Sequence, residues 1–543
     1  MTLPNLVVFG GSLLFLAVAG VEIVRATLKR RPAFGVGLWL GMAFTLLLAA
    51  AAIQQSFKST AASVLSAGAA NAYMLFYALM LLWLLRRRSF PAVASTDPLV
   101  LRGSVVGSSD EVMSTLYGVG ARKVGALGGV IRIGEVVIPV ALEAQHFLFS
   151  GTTGSGKTQA INPILQMVRS RALVADAGGG FVSRFLAPGD LIFNPFDRRS
   201  VDWSPFAEVR AEYDCARIAK AAIPDGHGDG QEWHHYAQTL LGETMLALVK
   251  QGLPSVRKLL YYLTIAESRE LGELLHGTPA GILCASGNDK MLANTRGIIS
   301  TYLVAWRYLA DDGQFSVREW VKNSTRSNWL FITFRDDQLG MLRALVATLL
   351  EVAVIEALSL AEDEARDCWL VMDEVDSLGK VSSLRAGLTK LRKYGWKVIL
   401  GLQTVSQLRA TYGRDEAQTL LANLSTKLVL RAGDGETAEY FSREFGDQET
   451  TRMQWSESQG SSRSLGLSGQ ASESSSSSTT QVQETKRTVL ASEIGALPDL
   501  EGFLRTPGAP IGYVHLPYAK LPAVADAFVA GEAGVLRSAP PAM

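Results

Sequence analysis

The stretch FLFSGTTGSGKTQA, Phe147 to Ala160, constrains the fold of this chain more than any other. An apolar strand runs into a glycine-rich turn and then a helix start. Within it GTTGSGKT, Gly151 to Thr158, fits the G-x-x-x-x-G-K-[ST] pattern, in which backbone N–H groups close around phosphates at a helix N-terminus. Gly151, Thr152, Thr153, Gly154, Ser155 and Gly156 form the loop, Lys157 is placed to reach the β/γ-phosphates of ATP, and Thr158 to hold Mg²⁺. Pro163 in the following helix predicts a kink.

Such a loop needs a second half, because Mg²⁺ and the attacking water require carboxylates at the end of a neighbouring strand. CWLVMDEVDSLG supplies them: Cys368 to Met372 reads as the strand, Asp373 as the Mg²⁺ residue and Glu374 as the group that orients or deprotonates water. VSSLRAGLTKLRKYG then places Val381, Leu384, Leu388 and Leu391 on one helical face, with basic residues elsewhere and Gly395 as the C-cap. WKVILGLQTVSQL forms a further buried strand carrying Gln403 just past its end, where an amide can touch the γ-phosphate or water.

Short continuous apolar runs mark buried parallel strands at His146 to Ser150, Ala172 to Asp176, Leu191 to Asn194, Trp329 to Phe334, Trp369 to Met372, Val398 to Leu402 and Lys427 to Leu430. Helical patterns separate most of them, which predicts an open α/β sheet with helices on both faces. Between Phe206 and Asp312 only helical spacing is found, as in Leu241, Met245 and Leu248, so this segment reads as an inserted all-α domain. After Trp455 comes SESQGSSRSLGLSGQASESSSSSTT, too poor in apolar residues to bury a core and expected to be a flexible loop. Ordinary globular composition resumes from Val489 to Val529.

Three apolar runs open the chain, Leu3 to Val24, Val36 to Ile53 and Ala61 to Leu85, each about the ~20 residues that cross a bilayer. Basic residues follow the first run (Arg25, Lys29, Arg30, Arg31) and the third (Arg86, Arg87, Arg88), with only Lys58 between the second and third. The positive-inside rule then puts everything after Arg88 in the cytoplasm. A formal net charge of +1 offers no global field for nucleic acid, so DNA contact would rest on local patches. Cys215, Cys284 and Cys368 lie far apart with no CxxC pair and read as fillers in a reduced compartment. His227, His234 and His235 in DGHGDGQEWHHY read as a polar loop before a helix, and Trp203 and Trp233 as packing residues.

Taken together, Asp373 to Leu408 resembles the type IV coupling proteins, the membrane-anchored ATPases of bacterial conjugation and type IV secretion, particularly their TraD/TrwB-like branch. Support comes from FNPFDRRSVDWSPFAE (Phe193 to Glu208), from YGRDEAQTLLANLSTKLVLR (Tyr412 to Arg431) and from LASEIGALPDLEGFL (Leu490 to Leu504). The resemblance implies a RecA-like P-loop NTPase domain with an inserted all-α domain, preceded by N-terminal transmembrane helices and assembled as a homo-hexamer around a channel. It makes Asp373 and Glu374 the Walker B pair, Gln403 the sensor, and Arg392 the arginine finger that reaches a neighbour's γ-phosphate. DAGGGF, Asp176 to Phe181, departs from relatives that carry a proline and a further acid after the aspartate, which leaves Asp176 outside the candidate site.

The division that follows is 1–88 transmembrane with two or three helices, 89–205 and 313–455 the two parts of the nucleotide-binding domain, 206–312 the all-α insert, 456–485 the Ser-rich flexible loop and 486–543 the C-terminal segment of the nucleotide-binding domain and tail. The implied setting is the bacterial inner membrane, multi-pass, with DNA, relaxase or relaxosome proteins and secretion channel components as partners. Two other roles fit the same features: an ATP-dependent receptor recruiting protein effectors to a type IV secretion system, and a cell-division-type double-stranded DNA translocase.

Overall fold

A computed structural model describes residues 99–531 apart from 119–129, 169, 227–229, 324–326, 376 and 464–470. The three N-terminal apolar runs, and with them the membrane topology, lie outside the described residues. The described strands are, in chain order, β1 (Leu99–Gly103), β2 (Val106–Gly107), β3 (Arg132–Ile133), β4 (Val136–Val137), β5 (Phe147–Ser150), β6 (Arg171–Ala177), β7 (Leu191–Phe193), β8 (Leu330–Phe334), β9 (Cys368–Met372), β10 (Trp396–Leu402), β11 (Thr426–Val429), β12 (Asp447–Arg463), β13 (Ala471–Arg487), β14 (Glu501–Arg505) and β15 (Ile511–His515).

Each of the seven apolar runs forms one of the strands β5 to β11, and these pair in parallel in the order β11-β5-β10-β9-β6-β8-β7. Their apolar character is continuous because both faces are covered. Along β5 the side chains alternate between two cores: Leu148 joins the helical side, Phe147 and Phe149 the other. The sheet is nevertheless mixed. β14 adds to β11 antiparallel, β15 to β14 antiparallel, and β2 to β15 parallel, which makes ten strands in all.

Between β7 and β8 the described residues form helices Glu212–Ala222, Gln231–Lys250, Val256–Thr264, Ser268–Leu274, Asp289–Tyr302 and Val317–Lys322, with short 3₁₀ turns. Leu241, Met245 and Leu248 are all buried there, one face of a 20-residue helix. The two chain crossings between this helical region and the sheet meet in a buried charge cluster. Arg318 pairs with Asp214 at 2.8 Å and with Glu356 at 2.7 Å, while Glu208 accepts from Trp203 Nε1, Ser316 Oγ and the backbone of Val317 and Arg318. Burial opposes the Arg318 charge, but the hydrogen bonds to Glu356 and Asp214 outweigh it and raise its pKa. Burial likewise pushes the Glu208 carboxyl up, against those donors. Removing one member of such a cluster strands a buried charge, at a cost of roughly 3–5 kcal/mol.

Helix Asp336–Ala357 is the one described helix long and apolar enough to cross a membrane. It is packed instead inside the fold, with Leu342, Leu345, Leu349 and Leu350 all in the helical-side core. Cys215 and Cys368 are buried and Cys284 half-buried, all three as free thiols. Trp203 is buried edge-on against Phe193 and Trp306, and Trp233 meets Tyr236 edge-on.

The Ser-rich segment corrects its expectation. Residues 456–463 and 471–485 are strands, not a structureless loop: β12 and β13 pair antiparallel from Asp447↔Arg487 to Arg463↔Ala471. Leu99–Gly103 adds to the base of this hairpin, beside Gln448 to Thr451. A ladder satisfies its own backbone groups without an apolar core, and composition alone misses that.

Candidate nucleotide site

The C-terminal ends of β5, β9 and β10 share one edge of the sheet, since Leu402 pairs with Ser150 and Leu400 with Met372. The phosphate loop leaves β5 here and is held by its neighbours: Gly151 N–H donates to Leu402 O at 3.1 Å and Thr152 N–H to Arg431 O at 2.9 Å. Gly154 (φ +80°) and Gly156 (φ +115°) take left-handed conformations that a side chain would strain. Helix Lys157–Met167 starts directly after them, so the N–H groups of its first turn lie at the loop, and it continues through Pro163.

Lys157 is buried, and its Nζ donates to Gly151 O at 2.6 Å, which holds the ammonium beneath the loop. Thr158 Oγ1 lies 3.4 Å from Asp373 Oδ2, across the gap between helix and strand. Gln403 Nε2 donates to Glu374 Oε1 at 2.9 Å. The chain after β9 curls tightly over β10: Val375 N–H donates to Gly401 O, and a Cβ on Gly401 would come within 1.8 Å of Asp373 O. Only glycine lets the acid-bearing turn sit this close. A cleft of about 410 Å³ opens over these groups, lined by Thr152, Thr153, Gly154, Gly156, Lys157, Thr158, Asp373, Glu374 and Gln403. Ser155 lies beneath the loop, fully buried, with its hydroxyl donating to Thr152 O at 2.7 Å.

The structure therefore brings Lys157, Thr158, Asp373, Glu374 and Gln403 together, and not Arg392. Arg392 is exposed in the 3₁₀ turn Leu391–Tyr394 that precedes β10, at the opposite edge. The seven residues of β10 separate the two edges by roughly 20 Å at the rise of an extended strand. Gly395 ends that turn in the left-handed conformation (φ +72°), against Arg366, where a Cβ would come within 2.1 Å of its carbonyl oxygen.

Four residues at the cleft escaped sequence reasoning. Gln159 follows Thr158, whereas Asp499, Leu500 and Tyr518 return from the C-terminal segment some 340 residues later. Gln159, Asp499 and Leu500 fall inside stretches that carry the resemblance, Phe147 to Ala160 and Leu490 to Leu504, but no motif assigns any of the four to the cleft. For Tyr518 the sequence signal is that globular composition resumes after the Ser-rich stretch. Asp176 also borders the site. It is buried at the end of β6 and accepts from Phe181 N–H and Val182 N–H at 2.9 and 2.7 Å. Burial pushes its carboxyl up to about 7 against those hydrogen bonds, and the charge of Asp373 adds to the rise.

These residues fit a magnesium-bound nucleoside triphosphate: a cradle of backbone donors, a buried lysine, and a hydroxyl–carboxylate pair at the sheet edge. Comparison with known proteins agrees. Residues 130–517 match the family model for the type IV secretion-system coupling protein DNA-binding domain. The chain is 28% identical over 411 residues to the coupling protein TraD of Escherichia coli (strain K12), covering 74% of this chain and 56% of that protein. It is 22% identical over 338 residues to protein VirD4 of Rhizobium radiobacter, covering 56% and 48%. The chain thus spans about half the length of these curated relatives. Among solved structures it is similar to the conjugative coupling protein TrwBdeltaN70 in its unbound monoclinic form, with 33% identity and a TM-score of 0.69 over 79% of this chain and 96% of that one. It is equally similar to TrwB in complex with ADP and Mg²⁺, with 33% identity and a TM-score of 0.69 over 80% and 98%. A family match over most of the chain, joined to this edge of the sheet, means that the protein belongs to the type IV secretion-system coupling protein family.

Proposed function

We propose that this protein is a membrane-anchored hexameric ATPase that couples a DNA–protein substrate to a type IV secretion channel and drives conjugative DNA transfer. The observation that carries the reading is the convergence of Lys157, Thr158, Asp373, Glu374 and Gln403 on one cleft, in a chain of this family. The domain division and the inner-membrane, multi-pass placement read from the sequence belong to the same proposal. TraD and VirD4 support the coupling role, and TrwB in complex with ADP and Mg²⁺ supports the cofactors.

In this reading the backbone N–H groups of Thr152 to Gly156 and the Lys157 ammonium bind the triphosphate tail. Thr158 and Asp373 hold Mg²⁺, which neutralises charge on the β- and γ-phosphates. Glu374 accepts the proton of the attacking water, and Gln403, hydrogen-bonded to Glu374, orients that carboxylate and links it to the end of β10. Arg392 is too far from its own chain's cleft to take part there. It serves the neighbouring subunit, stabilising charge on the transferring phosphoryl group. Sequence-independent grip on DNA then follows from basic residues lining the assembled channel.

Steady-state ATP hydrolysis by the full chain, with and without single- and double-stranded DNA, tests this. Stimulation by DNA that disappears in Lys157→Ala is expected. DNA-insensitive turnover in an assembled sample would contradict the motor and favour a receptor for protein cargo.

A further inference from the structure

We infer that Tyr518 is the platform on which the base of the bound nucleotide stacks. The inference rests on the nucleotide reading above and adds base recognition to it. The observation is a backbone fixed on both sides of an uncovered aromatic ring at the mouth of the phosphate cleft.

After β15 the chain turns back over the phosphate loop. Leu516 N–H donates to Leu500 O at 2.7 Å, and Leu500 N–H donates to Ser155 O at 2.9 Å. Leu500 is one of two non-glycine residues with positive φ among those described, at +66°. Such a conformation persists only where its surroundings over-determine it. Here both peptide groups of Leu500 are engaged, and its side chain lies over Gly156, where a Cβ would come within 2.9 Å of Leu500 Cδ2. On the far side of Tyr518, Ala519 N–H donates to Gln159 Oε1 at 3.1 Å, and Gln159 stands next to Thr158 in the loop helix. The segment bearing Tyr518 is therefore tied to the phosphate loop at both ends.

Tyr518 as a residue remains 70% exposed, although it lines the same cleft as Gly154 and Lys157. A pre-positioned aromatic face loses little further entropy when a second ring covers it. Asp499, the acid on the same wall, is paired with Arg431 at 2.7 Å, which leaves Tyr518 and Leu500 as the apolar surfaces for a base. Because every base has a π-face, a stacking platform accepts adenine and guanine alike. The ligand class is thus a purine nucleotide held by its phosphates, with weak discrimination between bases.

Titration calorimetry on the full chain with Mg²⁺ tests this, using ADP, GDP and inorganic tripolyphosphate against wild type, Tyr518→Ala and Tyr518→Phe. Tyr518→Ala should weaken ADP and GDP about tenfold, equivalent to about 1.4 kcal/mol, with tripolyphosphate unchanged and Tyr518→Phe close to wild type. Unchanged ADP affinity in Tyr518→Ala would overturn the platform. So would an equal loss for ADP and tripolyphosphate, which would make the segment a support for the loop instead. If wild type bound none of the three, the nucleotide reading itself would fail and the platform with it.

Discussion

The two ends of the same parallel strands are built differently. At the C-terminal ends of β5, β9 and β10 glycines, a lysine, two acids and an amide line an open cleft. At their N-terminal ends the charges are absorbed by the fold. Lys397 lies between Glu143 at 2.7 Å and Asp367 at 2.9 Å, and its pKa is raised because those hydrogen bonds outweigh burial. Each edge also has one non-glycine residue in the left-handed region, Leu500 above and His146 below. Leu500 borders the cleft, whereas His146 is buried and accepts from Val398 N–H through Nδ1 at 3.2 Å. Paired charge packs one edge, whereas at the other the polar groups line an open cleft. At the lower edge Arg392 is exposed, as are Arg385 and Lys390 on the preceding helix, and none of the three makes an ion pair among the described residues. In the proposed function Arg392 differs from them by acting on a neighbouring copy.

The largest effect should come from Lys157→Ala at the upper edge. ATP turnover should fall by ~10³-fold or more, read as phosphate release, because the buried ammonium under the loop has no replacement. Next is Arg392→Ala, with a fall of about 10³-fold in assembled protein and an unchanged nucleotide Kd. If the Kd shifted equally, Arg392 would belong to binding and the contrast between the edges would blur. Glu374→Gln comes third: turnover should drop by ~10²-fold or more while binding of a non-hydrolysable ATP analogue persists. The smallest effect belongs to His146. Burial lowers its pKa to about 4, with the nearby Arg392 charge adding to the fall, so the folded state binds fewer protons than the unfolded one between about pH 4 and 6.5. Stability is therefore lost as pH falls through that window, by the order of 3 kcal/mol in total. His146→Asn keeps a residue tolerant of positive φ and removes the titration. Wild type should lose melting temperature relative to this variant between pH 6.5 and pH 5, and the opposing contribution of Asp176 cancels in the difference.

Much of this contrast was legible in the sequence. The strands β5 to β11 stood out because burial on both faces writes uninterrupted apolar runs, and GTTGSGKT and MDE fall at strand ends where phosphate chemistry belongs. β14 and β15 were not legible as strands. Each is five residues long and lies in the extension of the sheet between β11 and the edge strand β2, where tertiary pairing rather than local pattern decides the state. Leu500 and Tyr518 were illegible for a related reason: their place at the loop depends on a chain return that no spacing encodes. The Ser-rich segment failed in the opposite direction, since its composition argued against burial and said nothing about a self-contained backbone ladder. Asp176 shows a third limit. Its neighbours GGGF differ from the family pattern, yet the backbone N–H groups of Phe181 and Val182 turn back onto its carboxylate.

In the proposed function a complete site needs the upper edge of one subunit and the lower edge of another. Mixing tests it most directly, with ATP hydrolysis measured for Lys157→Ala alone, Arg392→Ala alone, and the two co-assembled. Each variant should be inactive by itself, and the mixture should recover activity, because some sites then pair an intact Lys157 with a neighbour's intact Arg392. Wild-type turnover by Arg392→Ala alone, or no recovery in a sample shown to contain mixed assemblies, would contradict the account.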